Sequence, residues 1–278
     1  MADVAQSNSD LARPSATSGV VPFRGGGFET RDSKRGPLSW VGLLGLLVVW
    51  QTASHFGWIS STFLPGPLTI AATLYELAKS GSLLRDISAS AVRIVIGWSC
   101  GTLAGLVFGV SIALFPSMRA IGKPLITALY PIPKIAILPL LILWLGVGEL
   151  PKVFTIGIGV FFPTAIATFS SIDNVQRNII RMAQSFGVPM RSIIRDVLLP
   201  GALPGIVAGM RITTAYSLTL VVAAEMIASD QGIGSFIILA GTLMRSDQLV
   251  SGVVVLSILG LLIGRGLTAL EDAWFKWR

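Results

Sequence analysis

The chain has 278 residues, of which 53% are hydrophobic and only 13% are charged, and its mean hydropathy is +0.76. Soluble domains carry about 25% charged residues because their surfaces face water, so this composition excludes an ordinary soluble domain and predicts a protein that lies in lipid. The net charge of +7 does not indicate a nucleic-acid partner. Membrane proteins concentrate Lys and Arg in cytoplasmic loops, and no basic run with interleaved aromatic residues is present.

Few residues of the chain could form a catalytic or metal site. Cys100 and His55 are the single cysteine and the single histidine, so neither a disulfide framework nor a Cys/His metal site is expected. The Gly122-Lys123 pair lacks the upstream glycine and the following Ser or Thr of a P-loop. We therefore expect no catalytic residue, no metal and no cofactor bound by this chain.

The first residues differ in composition from the rest. Residues 1–36 are rich in Ser, Gly and Ala, contain no apolar segment typical of a signal peptide, and end near the basic residues Arg31, Lys34 and Arg35. This composition predicts a disordered cytoplasmic tail.

Long stretches without charge recur along the remaining chain. No Asp, Glu, Lys or Arg lies between Gly36 and Tyr75 or between Ile94 and Met118. About 20 apolar residues are enough to cross the hydrocarbon core as a helix. We therefore predict an all-α membrane protein with six transmembrane helices in a domain over 37–278. The expected spans are 38–58, 91–115, 121–147, 151–171, 203–228 and 248–270, with a short amphipathic helix over 68–78.

The basic residues of the loops predict an orientation. If the N-terminus lies in the cytoplasm, most loop Lys and Arg residues fall on the cytoplasmic side, as is typical of membrane proteins. We therefore expect both termini in the cytoplasm. The residues expected inside are Arg119, Lys123, Arg177, Arg181, Arg191, Arg195, Arg265, Lys276 and Arg278, and those expected outside are Lys79, Arg85, Lys152 and Arg245.

Glycines recur at every fourth residue in two expected spans. Without a Cβ atom on one helical face, two helix backbones can approach closely in lipid. We expect these glycines to pack helices of this chain together, in preference to a direct role in a mechanism. They are Gly97, Gly101, Gly105 and Gly109 in the second span, and Gly201, Gly205 and Gly209 at the start of the fifth.

The third expected span contains four prolines, Pro124, Pro131, Pro133 and Pro139, with Lys134 near its middle. Proline removes a backbone donor, and broken helices in membranes are tolerated where neighbours or a cavity satisfy the freed carbonyls. A broken helix that carries an ionisable group indicates the lining of a path.

Four ionisable residues are expected within or at the edge of spans. Such groups are costly in lipid and usually face the bundle interior or water. Lys134, with Arg211, is a candidate for attracting an anionic substrate, and Glu225 for pairing with one of them or shaping an outer gate. The alternative is structural, with Glu225 as a hydrogen-bond partner and Arg93 and Arg211 reaching the membrane interface. We favour the structural interpretation for Arg93 and Arg211, and we leave both interpretations open for Lys134 and Glu225.

The segment over 174–200 is polar and amphipathic and does not fit a span. From Met190 the apolar residues recur at the spacing of one helical face, and a second apolar face precedes Gly187. Gly187 suits a left-handed helix C-cap and Pro189 the first turn of a following helix. A helix–glycine–helix unit is predicted, either an interfacial helix resting on headgroups or a docking element for a cytoplasmic partner.

This segment resembles the loop of permeases of binding-protein-dependent ATP-binding cassette (ABC) importers, written Glu-Ala-Ala, three residues, Gly, nine residues, Ile-x-Leu-Pro. Arg181-Met182-Ala183, Gly187 and Val197-Leu198-Leu199-Pro200 match its spacing without a gap, and Arg181 replaces the usual Glu. Further segments resemble the sulfonate/taurine/nitrate-type branch, with aliphatic-sulfonate permeases most similar. They are 64–67, 138–146, 199–206, 224–226 and 232–234.

The resemblance implies the type I ABC importer (MetI-like) permease fold in a bacterial cytoplasmic (inner) membrane. It also implies a homodimeric permease that works by alternating access, two ABC ATPase subunits that use ATP and Mg, and a periplasmic or extracellular substrate-binding protein. Sulfonates, taurine, nitrate, bicarbonate and aromatic acids all remain open as solutes. Alternatives are an ATPase-independent secondary transporter or channel, and a membrane scaffold.

Two sets of residues are the candidate sites. The ATPase-coupling loop is expected to comprise Arg181, Met182, Ala183, Ser185, Phe186, Gly187, Val188, Pro189, Met190, Arg191, Leu199 and Pro200. The translocation path is expected to include Lys134, Pro131, Pro133, Arg211 and Glu225.

Overall fold

The structure is a computed structural model that describes the backbone of residues 35–274 and the side chains of residues 41–266, 268 and 269. The predicted tail over 1–36 lies almost entirely outside the described residues. Within them the regular structure is helical. The helices are α1 (Arg35–His55), α2 (Pro67–Lys79), α3 (Ser82–Leu114), α4 (Pro116–Leu129), α5 (Leu138–Leu145), α6 (Glu149–Asp173), α7 (Arg177–Ser185), α8 (Met190–Ile193), α9 (Leu199–Ala228), α10 (Ile233–Thr242) and α11 (Ser246–Trp274).

The chain divides into two units, residues 1–49 and 50–278, and the division falls inside α1. The described part of the first unit is helical and apolar. The second unit contains the remaining helices and the candidate sites.

Four helical segments are long and apolar enough to cross a membrane: 82–114, 149–173, 190–228 and 246–266. A fifth candidate span is the pair α4 and α5, which bends by 86° at the expected break. The apolar part of α1 over Val41–His55 is shorter than these spans. A multi-span helical protein is therefore confirmed, whereas the count of six spans is not.

The centre of the second unit is formed by α3, α6 and α9. Along α3 the four glycines face the backbone of α6, where a Cβ on Gly97 would lie 2.9 Å from the Val153 carbonyl oxygen and one on Gly105 would lie 2.7 Å from that of Phe161. The order of these contacts makes α3 and α6 parallel. The predicted packing role of this glycine face is confirmed.

The second set of glycines packs α9 against α6, and the two helices run in opposite directions. Gly205 lies against Ser171, and Gly209 lies against Ala167, so α9 is antiparallel to α6. Ile94, Ile156 and Leu220 join the three helices in a buried apolar cluster. Consequently α3 and α6 begin at the end of the unit where α9 finishes.

The expected break between the third span's halves is present and has a simple cause. Pro131 and Pro133 supply no backbone donor, and a 3₁₀ turn over Lys134–Ile137 follows them before α5 begins. This turn contacts both α6 and α9. The break therefore lies against the central helices.

The helices after the loop differ from the prediction. The sequence predicts a surface helix that ends before a span starting at 203, but a helical segment runs without a gap over Met190–Ala228. A π-helical turn over Ile194–Leu198 joins α8 to α9, and Pro200 enters the first turn of α9, where its missing N–H costs little. The expected boundary near 203 is wrong for this reason.

The beginning of α3 also lies earlier than expected. The sequence predicts the second span from 91, whereas α3 begins at Ser82. The additional turns bring two buried polar residues, Asp86 and Ser90, to the end of the unit where α9 finishes, beside the buried Arg93. The amphipathic helix predicted over 68–78 is confirmed as α2, and its Thr73 hydroxyl donates to Asp247 of α11 at 3.1 Å.

Candidate functional site

Glu225 is a fully buried carboxylate near the end of α9. It accepts hydrogen bonds from the Ser90 hydroxyl at 2.8 Å, from Arg93 Nη1 at 2.6 Å and from the Gly234 N–H at 2.8 Å. A Cβ on Gly232 would lie 2.5 Å from both carboxylate oxygens, and this residue has a φ of +127°. The turn between α9 and α10 is therefore built closely around one charged group.

Arg93 pairs that carboxylate with a second one. Its Nε and Nη2 donate to Glu149 at 2.5 and 2.8 Å, and its Nη1 also donates to the Gln231 carbonyl at 2.7 Å. The favoured interpretation, in which Arg93 reaches the membrane interface, is wrong. Its side chain is 5% exposed and occupied by two carboxylates, because α3 packs closely against α6 and meets the end of α9.

Lys152 completes this group of charges, one turn after Glu149 on α6. Its Nζ donates to Glu149 at 2.8 Å and to the Ser229 hydroxyl at 3.2 Å. We call Arg93, Glu149, Lys152 and Glu225 the ion network. Two cations balance two anions, so the network binds the ends of α3, α6 and α9 without net charge.

The sequence interpretation missed half of the ion network. The sequence predicts no role for Glu149, and it places Lys152 in an outside loop. The available signal was the spacing of Glu149 and Lys152, which lie three residues apart and face each other on a helix. The pairing of Arg93 with both carboxylates depends on helix packing over 132 residues of sequence.

Lys134 is buried at the break between α4 and α5. Its Nζ donates to the carbonyls of Leu129 at 2.8 Å, Tyr130 at 3.0 Å and Ile132 at 2.7 Å, and lies 4.5 Å from the centre of the Phe162 ring. An ammonium group has three donors, and all three are used on carbonyls freed by the break. In this conformation the charge stabilises the bend.

The other predicted path residues lie on the exposed side of the unit. Pro131 and Pro133 are exposed at the break, and Arg211 is exposed on α9. Tyr216 lies on α9 and is also exposed, and the sequence predicts no role for it. The turn at the break contacts α9. The structure thus brings the break and the middle of α9 together, whereas Glu225 lies apart in the ion network.

The predicted loop is exposed along its length. α7 has no buried residue, and Gly187 follows it with a φ of +72° before α8 begins after Pro189. The helix–glycine–helix unit is confirmed, and Gly187 is its left-handed C-cap. The Ser185 hydroxyl donates to the Met182 carbonyl at 2.8 Å, which stabilises the last turn of α7.

Large apolar side chains of this loop face outward. Phe186 is 80% exposed, Met182 56% and Met190 55%. Arg181 and Arg191 are exposed beside them and form no ion pair with any of the side chains that the structure describes. Aromatic residues, Met and Arg are enriched at protein interfaces, so this surface has the composition of a docking site.

Of the remaining loop residues, Ala183 is half-buried, Val188 and Pro189 are exposed, and Leu199 and Pro200 lie in the first turn of α9.

A second charged cluster anchors the start of the loop. Asp173, the last residue of α6, accepts hydrogen bonds from Arg119 and from Lys123, the latter at 3.1 Å. Arg119 also donates to the carbonyls of Ile112 at 3.3 Å and Ala113 at 3.1 Å. The ends of α3 and α6 and the start of α4 are therefore held together directly before α7.

The described side chains contain no group of three or more His, Cys, Asp or Glu residues that could hold a metal ion. The carboxylates of the two clusters face Arg and Lys partners, and positive charges close to a carboxylate oppose the binding of a cation.

Comparison with known proteins identifies the family. Residues 101–275 match the family model described as "Binding-protein-dependent transport system inner membrane component". The taurine transport system permease protein TauC of Escherichia coli (strain K12) is 34% identical over 84% of this chain and 86% of that protein. An aliphatic sulfonates transport permease protein, SsuC, of the same organism is 33% identical over 86% of this chain and 90% of that protein.

Solved structures agree on the fold. An inward-facing crystal form of the MetNI methionine ABC transporter has a TM-score of 0.61 at 21% identity, over 69% of this chain and 95% of that chain. An amino acid ABC transporter has a TM-score of 0.59 at 12% identity, over 74% and 98%. The all-α fold expected from the sequence, that of MetI-type ABC importer permeases, is confirmed. The chain belongs to the family of binding-protein-dependent transport system inner membrane components, whose members are multi-pass permease proteins.

Proposed function

We propose that this chain is the permease subunit of an ATP-driven importer for small sulfonates such as taurine, and that two copies form the translocation path. The observation that carries the proposal is the exposed loop over 177–193, which continues without a gap into the segment Met190–Ala228. Relatives that cover most of the chain are named as taurine and aliphatic-sulfonate permeases.

The loop provides the means by which a separate ATPase could move the permease. α8, the π-helical turn and α9 form one helical segment of 39 residues, which at 1.5 Å per residue extends roughly 58 Å. A displacement of the loop therefore reaches the far end of α9. Glu225 of the ion network lies at that end, so the loop and the network are connected by a single helix.

Alternating access follows from this connection. ATP and Mg bind at two separate ATPase subunits, whose closure moves the loops of both permease copies. Each α9 then shifts against α3 and α6, and the path opens on the side of the ion network to receive solute. Hydrolysis and product release reverse the movement. The intact ion network corresponds to a path closed on that side.

The proposed orientation places the loop in the cytoplasm and the ion network outside. Arg177, Arg181, Arg191 and Arg195 then lie on the cytoplasmic side, as the excess of Lys and Arg in cytoplasmic loops requires. A substrate-binding protein delivers solute at the opposite, outer end of the bundle. Both termini are cytoplasmic in this arrangement.

Reconstitution tests the function. Proteoliposomes that contain the permease, its ATPase and its binding protein are expected to accumulate labelled taurine or an alkanesulfonate when ATP and Mg are supplied to the ATPase side. Removal of ATP, or a Walker A mutation in the ATPase, is expected to abolish accumulation. Accumulation by the permease alone, driven by an ion gradient, would overturn the proposal in favour of a secondary transporter. Accumulation of nitrate but of neither sulfonate would overturn the solute assignment.

A further inference from the structure

Two of the three tyrosines in this chain, Tyr130 and Tyr216, lie far from the ends of their spans. Tyr130 caps the C-terminal end of α4 at the break. Tyr216 lies on α9, 17 residues after Leu199 and 12 residues before Ala228. The 3₁₀ turn that follows the break contacts α9, and Lys134 of that turn lies 4.5 Å from the centre of the Phe162 ring on α6. On α6, Phe162 lies between Gly159, which packs against Leu220 of α9, and Ala167, which packs against Gly209 of α9. Tyr216 therefore lies at the level of the break.

Both phenols face out of the subunit. Tyr130 is 49% exposed and Tyr216 is 39% exposed. Neither hydroxyl makes a hydrogen bond to another residue in the described part of the chain. Tyrosines of membrane proteins usually lie at the membrane interface, where the hydroxyl meets water. Because an unsatisfied hydroxyl in hydrocarbon is costly, this pair requires water or a polar ligand on the exposed side.

The surroundings favour a negatively charged ligand. Lys134 Nζ lies 6.0 Å from the centre of the Tyr130 ring. The carboxylates of Glu149, Asp173 and Glu225 lie near the two ends of the unit and are paired with cations.

The position of Tyr130 is fixed by the chain itself. Lys134 donates to the carbonyl of Tyr130 and to the carbonyls of Leu129 and Ile132 on either side of it. The two prolines of the break remove alternative backbone hydrogen bonds. Lys134 is therefore a positioning residue, which holds the backbone from which the Tyr130 phenol extends.

We propose that the hydroxyls of Tyr130 and Tyr216 donate hydrogen bonds to the sulfonate oxygens of the solute as it passes the break. The inference rests on the proposed function and assigns the solute-contacting residues within it. Neutral donors suit a path, since a solute must bind well enough to enter and weakly enough to leave. Among the described side chains, no free carboxylate is available at the pair to bind the ammonium group of taurine, so taurine and simple alkanesulfonates should be affected equally.

Phenylalanine substitutions test the pair. In the reconstituted complex of permease, ATPase and binding protein, Tyr130→Phe and Tyr216→Phe each remove one hydroxyl and retain the ring. Because a hydrogen bond to a charged group is worth more than one between neutral groups, we expect each change to lower taurine uptake roughly fivefold to tenfold, and the double change to lower it further. Tyr75→Phe, at the exposed third tyrosine on α2, is the matched control and should transport like wild type.

The number of solute molecules accumulated per ATP hydrolysed separates solute contact from a structural role. Loss of solute contact should lower uptake while ATP hydrolysis stimulated by the loaded binding protein continues. A packing or assembly defect would lower both together and would overturn the inference, as would wild-type uptake by the double variant. If the wild-type complex itself shows no ATP-dependent uptake of a sulfonate, the proposed function fails, and the inference fails with it.

Discussion

Arg93 and Glu225 are charges removed from water, and their cost depends on the geometry of their partners. Glu225 is fully buried, and Arg93 meets it at 2.6 Å while also donating to Glu149. Removing one member of a buried pair leaves the other uncompensated, whereas replacing both with apolar side chains is often tolerated. We therefore expect the loss of one member of the pair to destabilise the protein more than the loss of both.

The variant Glu225→Gln should be strongly destabilised. Arg93 would keep only the half-exposed Glu149 as a charged partner, and we expect a loss of about 3–5 kcal/mol in the free energy of unfolding. Thermal or denaturant unfolding of the purified protein in detergent measures this loss. Asp230→Asn, an exposed carboxylate five residues away, is the control and should change stability by less than about 0.5 kcal/mol.

A double variant separates charge pairing from other roles of Glu225. Arg93→Met together with Glu225→Gln removes the uncompensated cation, so part of the lost stability should return. Glu149 would still be paired with Lys152 in this variant. Equal losses in the single and double variants would contradict the interpretation of the ion network as a paired unit.

Among the helices, α3 and α6 depend on backbone contact. The four glycines of α3 place its backbone against that of α6, and a Cβ on Gly101 would lie 2.9 Å from the Gly157 carbonyl carbon. In lipid the hydrophobic effect does not drive helices together, so such close packing holds them in contact. The contact also keeps Arg93 of α3 beside Glu149 of α6.

Gly101→Ala should therefore separate the two helices. The added methyl group meets backbone atoms that cannot move aside, and a cost of about 1–3 kcal/mol is expected from overpacking. Gly264→Ala on α11 is the matched control, because a Cβ there meets nothing within 4 Å and alanine favours the helix by up to about 1 kcal/mol. Unfolding in detergent compares the two, and equal stability would contradict the packing argument.

The loop over 177–193 should bind its ATPase mainly through apolar side chains. Phe186 is the most exposed large apolar residue there, and aromatic residues at the centre of an interface often supply much of the binding energy. We expect Phe186→Ala to weaken association with the ATPase about tenfold or more, measured by titration of the purified subunits in detergent. Phe63→Ala, which removes a side chain 83% exposed outside the loop, should leave the affinity unchanged.

At the scale of the whole molecule, the distribution of charge gives the two ends different characters. At the end that carries the ion network, positive and negative charges are equal in number, because Arg93 and Lys152 pair with Glu149 and Glu225. The loop end keeps exposed arginines that lack ion pairs in the described structure. Because Lys and Arg are retained on the cytoplasmic side, the loop end is expected to face the cytoplasm.

Cysteine labelling tests this orientation. In a Cys100→Ser background, which removes the single native cysteine, Asp230→Cys should react with a membrane-impermeant maleimide added to intact cells. Arg181→Cys should react only after the cells are opened. Both positions are exposed in the structure, so burial would not prevent the reaction. Labelling of Arg181→Cys in intact cells would reverse the proposed topology.

The sequence by itself determined that the chain lies in lipid, that it is helical, and that a helix–glycine–helix loop precedes α9. Stretches without charge require lipid, glycines at every fourth position allow helices to touch, and Gly187 with Pro189 divides two helices. These features are local, because each depends on the composition or spacing of neighbouring residues. The prolines near Lys134 likewise predicted the break, since a missing N–H acts on the adjacent turn.

Only the tertiary structure decided which distant residues meet. It placed Arg93 between two carboxylates, directed the Lys134 ammonium to nearby backbone carbonyls, and brought the turn at the break into contact with α9. It also joined the loop to α9 in one continuous segment. The physical reason is that the pairing of charges and hydroxyls depends on how α3, α6 and α9 are rotated and aligned. Backbone contact between helices sets that alignment, and no spacing within a single helix encodes it.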